Sequence, residues 1–159
     1  MIETSGVIEK EQGNGFYLVT LEQPAGHQCL CRAAGKLTKF RIKLLAGDKV
    51  LVPDPGYPTY TSVSNLVSAE IIPYDLTENS GWYPNLAELE KTDLTGVRLM
   101  WINYPHMPTG AKALYEKFVE LVAFAKKHAI LLCHDNPYSL VLNEEKPISI
   151  LSVPGAMEV

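Results

Sequence analysis

The pattern of apolar and polar positions changes its rhythm once along the chain, just after Pro53. Upstream it is strand-like. Residues 5–11 and 16–22 are β-like runs separated by Gly13-Asn14-Gly15, which supplies the positive φ angles of a tight turn, so a hairpin is predicted. A break at Pro24-Ala25-Gly26 leads into a third short strand over 27–33, and residues 35–43 follow without alternation. Gly47-Asp48 then turns the chain into a continuous apolar strand over 49–53. Several short strands at this spacing predict a small barrel.

Downstream, strands and helices alternate, the signature of a parallel sheet covered by helices. Strands are expected over 69–73, 97–103 and 129–135. Leu114, Phe118, Leu121, Val122 and Ala125 recur at helical spacing, which predicts an amphipathic helix over 111–128, with Lys112, Glu116, Lys117, Glu120, Lys126 and Lys127 on its other face. Shorter helices are expected over 59–68 and 84–91. The fold class is therefore α/β, a partial parallel sheet with covering helices, joined to a β-rich N-terminal segment. The division expected is 1–50 and 51–159, with the possibility that the N-terminal strands pair at the join and complete the sheet.

Charge sharpens that division. The net charge of -4 is the sum of +2 over residues 1–50 (seven Lys/Arg, five Asp/Glu) and -6 over 51–159 (seven and thirteen). With 47% hydrophobic and 20% charged residues the chain has a globular composition, and no apolar run approaches the ~20 residues that span a bilayer. The N-terminus has no basic-then-apolar leader, so a cytoplasmic location and no membrane contact are expected. Three cysteines, Cys29, Cys31 and Cys133, lack framework spacing and read as reduced thiols. Cys29 and Cys31 with His27 make one close set, short of the four ligands of a structural zinc, so no metal site is expected.

Three apolar strands end in polar, aromatic or proline clusters: Asp54-Pro55-Gly56-Tyr57-Pro58, Asn103 to Gly110, and Asp135-Asn136-Pro137-Tyr138. In open α/β sheets ligands bind beyond the carboxyl ends of strands, where these clusters would gather. From about Leu45 onward the chain resembles the large domain of class I pyridoxal-phosphate aminotransferases, through Val52 to Pro58, Trp101 to Pro105, Pro108-Thr109-Gly110 and His134 to Tyr138. The resemblance implies that Tyr57 stacks on the cofactor ring, that Asp135 binds the pyridine nitrogen, and that Tyr138 donates to the phenolic oxygen. It also implies cis bonds at Asp54-Pro55 and Met107-Pro108. Where the family usually has an asparagine reaching the same phenolic oxygen, this chain has Met107.

The same resemblance implies that a phosphate-binding turn precedes the matched region and that a Schiff-base lysine, in a Ser-x-x-Lys pattern, follows Pro154-Gly155-Ala156. A substrate-carboxylate arginine comes from a further domain. Lys146, between Glu144, Glu145 and Pro147, reads as an exposed turn residue rather than a desolvated Schiff-base amine. No catalytic residue is assigned, and pyridoxal phosphate is expected as a possible ligand of an incomplete site, not a required cofactor.

Residues 1–50 resemble a second family, bacterial translation initiation factor one, an OB barrel that binds RNA. The likeness runs along residues 34–50, with support from Gly6-Val7-Ile8 and residues 16–22. Arg32, Lys36, Lys39, Arg41 and Lys43 fall within twelve residues free of any acid, and Phe40 offers a stacking face, a pattern suited to phosphates and bases. A solvated basic loop is the plain alternative. The leading expectation is a chimeric or engineered folded protein without transaminase turnover, prone to self-association through exposed edges. The alternatives are an aminotransferase fragment that works with a complementing partner, and an RNA-binding module.

Overall fold

The computed structural model describes residues 6–13, 16–21, 28–32, 47–141 and 146–159. In the N-terminal part β1 (Gly6–Gly13), β2 (Phe16–Leu21) and β3 (Gln28–Arg32) form an antiparallel sheet in the order β1-β2-β3. Gly6 pairs with Leu21 and Gly13 with Phe16, so the expected hairpin is present, with register shifts that kink β1. The strand expected over 49–53 is present but belongs to the second sheet rather than to a barrel with β1–β3, and residues 35–43 lie outside those described.

The second sheet is parallel and ordered β5-β4-β6-β7, built from β4 (Lys49–Asp54), β5 (Glu70–Asp75), β6 (Val97–Asn103) and β7 (Leu131–Asp135). β4 pairs with β5 on one side and β6 on the other, both parallel. Both of its edges are therefore taken, and the expectation that the N-terminal strands pair with this sheet at the join is corrected: those strands make their own sheet.

Burial on both faces explains why these strands read as continuous apolar runs. Leu51, Met100 and Ile102 face a core shared with Phe118, Leu121, Val122 and Phe124. Val50, Val52 and Leu99 face the other way, onto Tyr60 and Ala69. A register shift places Lys49 opposite Val97 but Val50 opposite Leu99, so Arg98 is an extra residue in β6. That insertion is why Val97 and Leu99, two apart, end on opposite faces of the sheet.

Among the described residues three α-helices flank this sheet in sequence: α1 (Pro58–Leu66), α2 (Leu86–Leu89) and α3 (Tyr115–His128). Helix α3 buries Phe118, Leu121, Val122, Phe124 and Ala125, the stripe its spacing predicts, but it begins at Tyr115 rather than at residue 111. The cause is Tyr83. Its hydroxyl donates to the Lys112 carbonyl at 2.7 Å and accepts from the Leu114 N–H at 3.0 Å, which holds residues 112–114 extended before the first turn. Likewise α1 starts one residue early because Pro58 fits the first helical position. No helix among the described residues is long and apolar enough to cross a membrane.

Four tyrosines in this body carry phenols that resist ionisation. Burial pushes Tyr83 up to about 12 and holds Tyr60, Tyr74 and Tyr104 well above the ordinary phenol value. Each is raised in the folded state, so its contribution is complete below the unfolded phenol value near 10 and is lost as pH rises through the folded value. The buried Cys133 thiol is likewise pushed up to about 11, so stability in urea should begin to fall near pH 9 and fall steeply from about pH 10 through about pH 12. Tyr83→Phe should shift the neutral-pH urea midpoint by an amount equivalent to about 1–3 kcal/mol, since it leaves a backbone N–H and a carbonyl without their partner.

Candidate functional site

At the carboxyl ends of β4, β6 and β7 the three predicted clusters meet around a cleft of about 200 Å³ lined by Tyr57, Tyr60, Asn103, Met107, Asp135, Pro137 and Tyr138. Each lining residue is delivered by a short, constrained piece of chain. Beyond β4, the Asp54-Pro55 bond is cis, and a Cβ on Gly56 would lie 2.4 Å from the Pro53 carbonyl oxygen. Only glycine allows that approach. The turn presents Tyr57 as the N-cap residue of α1, and its side chain remains 41% exposed.

Asp135 ends β7, and one of its oxygens is already engaged. The Tyr60 hydroxyl donates to Asp135 Oδ2 at 2.8 Å. Tyr60 itself is fixed from two sides, stacked on Trp101 at 4.9 Å between ring centroids and edge-on to Tyr57 at 5.8 Å. Burial, then the hydrogen bond to Asp135, keeps the Tyr60 phenol protonated, so it acts as a permanent donor. Asp135 Oδ1 has no hydrogen-bond partner among the described residues and is the open acceptor of the pair.

Asn103 ends β6 and is 2% exposed. Its Nδ2 donates to the Asp135 backbone carbonyl at 2.9 Å, and its Oδ1 accepts from the Met107 N–H at 2.7 Å. One amide thus clamps the end of β7 to the loop that follows β6. That loop carries cis bonds at Tyr104-Pro105 and Met107-Pro108, and it closes through His106 N–H to the Ala111 carbonyl at 2.8 Å and Gly110 N–H to the His106 carbonyl at 2.7 Å. On its inner side the Tyr138 hydroxyl donates to the sulfur of Met107 at 3.0 Å.

Two histidines lie beneath the clusters. His106 is 3% exposed, with Nδ1 2.7 Å from the Thr109 hydroxyl. His134 Nε2 is 3.0 Å from the Tyr104 carbonyl, which fixes that nitrogen as the donor. Burial holds both imidazoles below the ordinary histidine value, so they are neutral structural groups at neutral pH.

The residues assigned to a cofactor by resemblance, Tyr57, Asp135 and Tyr138, are thus brought to one cleft. Tyr60 and Asn103 were not assigned. A tyrosine within a helix carries no local signal, and although Asn103 opens one of the strand-end clusters, its clamping role appears only in bonds that span 32 residues, as that of Tyr60 does in one that spans 75. Lys146 is exposed and does not line the cleft. Arg32 lies in β3, while Lys36, Lys39, Phe40, Arg41 and Lys43 lie outside the described residues. Cys29 and Cys31 are two apart in β3, Cys133 is a free thiol, and no metal-holding group of side chains occurs among the described residues.

A parallel sheet with helices on both faces and a polar, aromatic cleft at its carboxyl ends defines an open α/β fold with a candidate ligand site at its strand ends. The chain belongs to the aminotransferase class I and II family, whose model matches residues 29–158. It is similar to the LL-diaminopimelate aminotransferase of Gloeobacter violaceus, 44% identical over 114 residues that make up 71% of this chain and 29% of that protein. It is also similar to transaminase BacF of Bacillus subtilis, 37% identical over 126 residues, 79% of this chain and 32% of that one. A solved structure of substrate-bound BacF superposes with a TM-score of 0.70 at 39% identity, over 73% of this chain and 30% of that one. The chain spans about 30% of the length of the curated relatives it matches. The family match begins at Cys29, so it overlaps residues 34–50, whose likeness to initiation factor one was expected.

Replacing Asn103 with alanine should loosen the whole cleft. The change strands a backbone N–H and a carbonyl and should lower stability by about 2–4 kcal/mol in chemical denaturation, more than any exposed lining residue. Hydrogen exchange at the Met107 amide should accelerate in the same variant.

Proposed function

We propose that this chain provides the ring-binding part of a pyridoxal-phosphate aminotransferase site and does not by itself complete that site. The observation that carries the reading is the convergence of Tyr57, Asp135 and Tyr138 on one cleft, with Asp135 held by Tyr60 so that one oxygen is left as an acceptor. The cleft's size supports a partial site. At about 200 Å³ it falls below the roughly 300–1,000 Å³ of pockets that enclose a whole ligand.

The donor set fits the cofactor. A carboxylate with an unused oxygen is the partner a protonated pyridine nitrogen needs, the exposed Tyr57 ring offers a face, and the Tyr138 hydroxyl offers a hydrogen bond to the phenolic edge. When bound, pyridoxal phosphate supplies an electron sink for the bond-breaking at an amino acid's α-carbon. The protein's part is to keep a proton on the ring nitrogen through Asp135, to orient Asp135 through Tyr60, and to fix the ends of β6 and β7 through Asn103. No lysine lines the cleft among the described residues, so the amine for covalent capture comes from a complementing segment in this reading. The substrate is an amino acid, as the names of the similar aminotransferases suggest for their own substrates.

The test is binding of pyridoxal 5′-phosphate followed by borohydride reduction. Saturable binding is expected, with Asp135→Asn weakening it about tenfold or more, the worth of one charge-assisted hydrogen bond. No reduced cofactor should be fixed at a cleft residue, and no amino acid should be turned over by the chain alone. Equal affinity in the Asp135→Asn variant, or unaided turnover, would overturn the reading.

A second reading concerns the N-terminal segment. The antiparallel order β1-β2-β3 and the acid-free basic run from Arg32 to Lys43 support an RNA-binding surface of the kind that initiation factor one presents. Triple replacement of Lys36, Lys39 and Arg41 by alanine should reduce RNA affinity, and with it the slope of log affinity against log salt by about two to three. An unchanged slope would remove this reading.

A further inference from the structure

The cleft contains one residue with no evident reason to be there if its only task were hydrogen bonding. Met107 stands directly before Pro108-Thr109-Gly110, lines the cleft, and offers a thioether where its neighbours offer an amide, a carboxylate and hydroxyls. It is held by its backbone, whose N–H is bound to Asn103 Oδ1 at 2.7 Å and whose bond to Pro108 is cis. The backbone clamp leaves the side chain to face its neighbours, and its sulfur lies 3.0 Å from the Tyr138 hydroxyl oxygen. A thioether accepts weakly and donates nothing.

Resting on the function proposed above, we infer that Met107 is a positioning residue: before a ligand arrives its sulfur holds the Tyr138 hydroxyl at the phenolic edge of the ring site, and of these two residues only Tyr138 can donate to a ligand there. Two consequences follow from the chemistry of the groups. Because sulfur is a weak acceptor, the hydroxyl leaves it readily for an anionic oxygen, so its proton is directed without being sequestered. Because Met107 has no proton to give, a phenolate bound there accepts one hydrogen bond from these two residues rather than two. With fewer hydrogen bonds to its charged form, such a phenol ionises at higher pH than in a site with two donors.

The probe is pyridoxine 5′-phosphate, which carries the phenol and phosphate but no aldehyde, so its absorbance reports phenol ionisation without any imine. Full-length protein would be titrated to millimolar probe, with a ¹³C-methyl label on methionine to confirm occupancy beside Met107. Met107→Asn, which adds a donor, should bind the probe several-fold more tightly and move the absorbance transition to lower pH by about half a unit to one unit. Met107→Leu, similar in volume but without an acceptor, should bind about two- to five-fold more weakly, with the transition moved by less than in the asparagine variant. Tyr138→Phe should move the transition upward, and in that background Met107→Leu should have no further effect on affinity.

Thermal melting of each variant separates loss of fold from loss of tuning. If Met107→Leu equals the unsubstituted chain in affinity, or Met107→Asn leaves the transition where it was, the inference fails while the ring-binding reading stands. If the unsubstituted chain shows no saturable binding and no shift of the methionine methyl signal, both fall together.

Discussion

The cleft depends on the side chain of Asn103. This buried amide binds two separate stretches of chain at the carboxyl end of the sheet, the Asp135 carbonyl on β7 and the Met107 N–H in the loop beyond β6. A parallel sheet fixes strand ends only as far as its ladder runs, and the last paired residues of β6 and β7 are Asn103 and Asp135 themselves. Beyond that point the chain needs another constraint to hold two functional loops in register. A buried amide with both its donor and its acceptor satisfied supplies it, and supplies it rigidly, because neither bond can be exchanged for one to water at 2% exposure.

Around that clamp Tyr74, Tyr83, Tyr104 and Trp101 form a supporting layer behind the cleft-lining Tyr57, Tyr60 and Tyr138. Tyr83 stacks on Tyr104 at 4.2 Å, and the Tyr104 hydroxyl donates to the Trp82 carbonyl. The Tyr74 hydroxyl donates to the Trp101 carbonyl, Trp101 stacks on Tyr60, and Tyr60 donates to Asp135. Each phenol therefore carries a backbone or carboxylate partner while its ring fills the core, the compromise by which a tyrosine is buried without loss. The chain of contacts ends at Asp135, so the orientation of one carboxylate is set by packing that begins three elements away. The free oxygen of that carboxylate is the product of this layer, because Tyr60 takes the other.

Much of this was legible in the sequence where the signal is local. The change of period after Pro53, the apolar strand over 97–103 and the stripe of Phe118, Leu121, Val122 and Ala125 each follow from spacing alone, and the structure has them. The start of α3 was not legible. Ala111 to Leu114 are compatible with a helix by composition, and they are extended because Tyr83, about 30 residues away, bonds the backbone on both sides of Ala113. Whether the N-terminal strands pair with the parallel sheet was not legible for a related reason. An apolar strand such as β4 does not announce how many of its edges are occupied, and crossover connections from β5 and β6 had already filled both. Tyr57, Asp135 and Tyr138 lie in the motifs that carry the resemblance, and so does Asn103, but the contacts by which Tyr60 and Asn103 place Asp135 and its neighbours appear only when the strands are brought together.

The contrast between Asp135 and Met107 shows how the two sides of the cleft are governed by different physics. On the Asp135 side, position is set by strong and directional contacts, a phenol fixed as a donor by burial and a strand end fixed by an amide. On the Met107 side the backbone is equally fixed, but the contact presented to Tyr138 is a polarisable sulfur with little directional demand. A ring seated between them would be anchored through its nitrogen and adjustable at its phenolic oxygen. A rigid anchor at one edge makes a soft contact at the other tolerable, since a ring already held in plane and angle needs only a proton, not a second clamp, where its charge changes. A thioether at position 107 then leaves the backbone geometry of the site to Asn103 while setting a softer electronic environment at that edge.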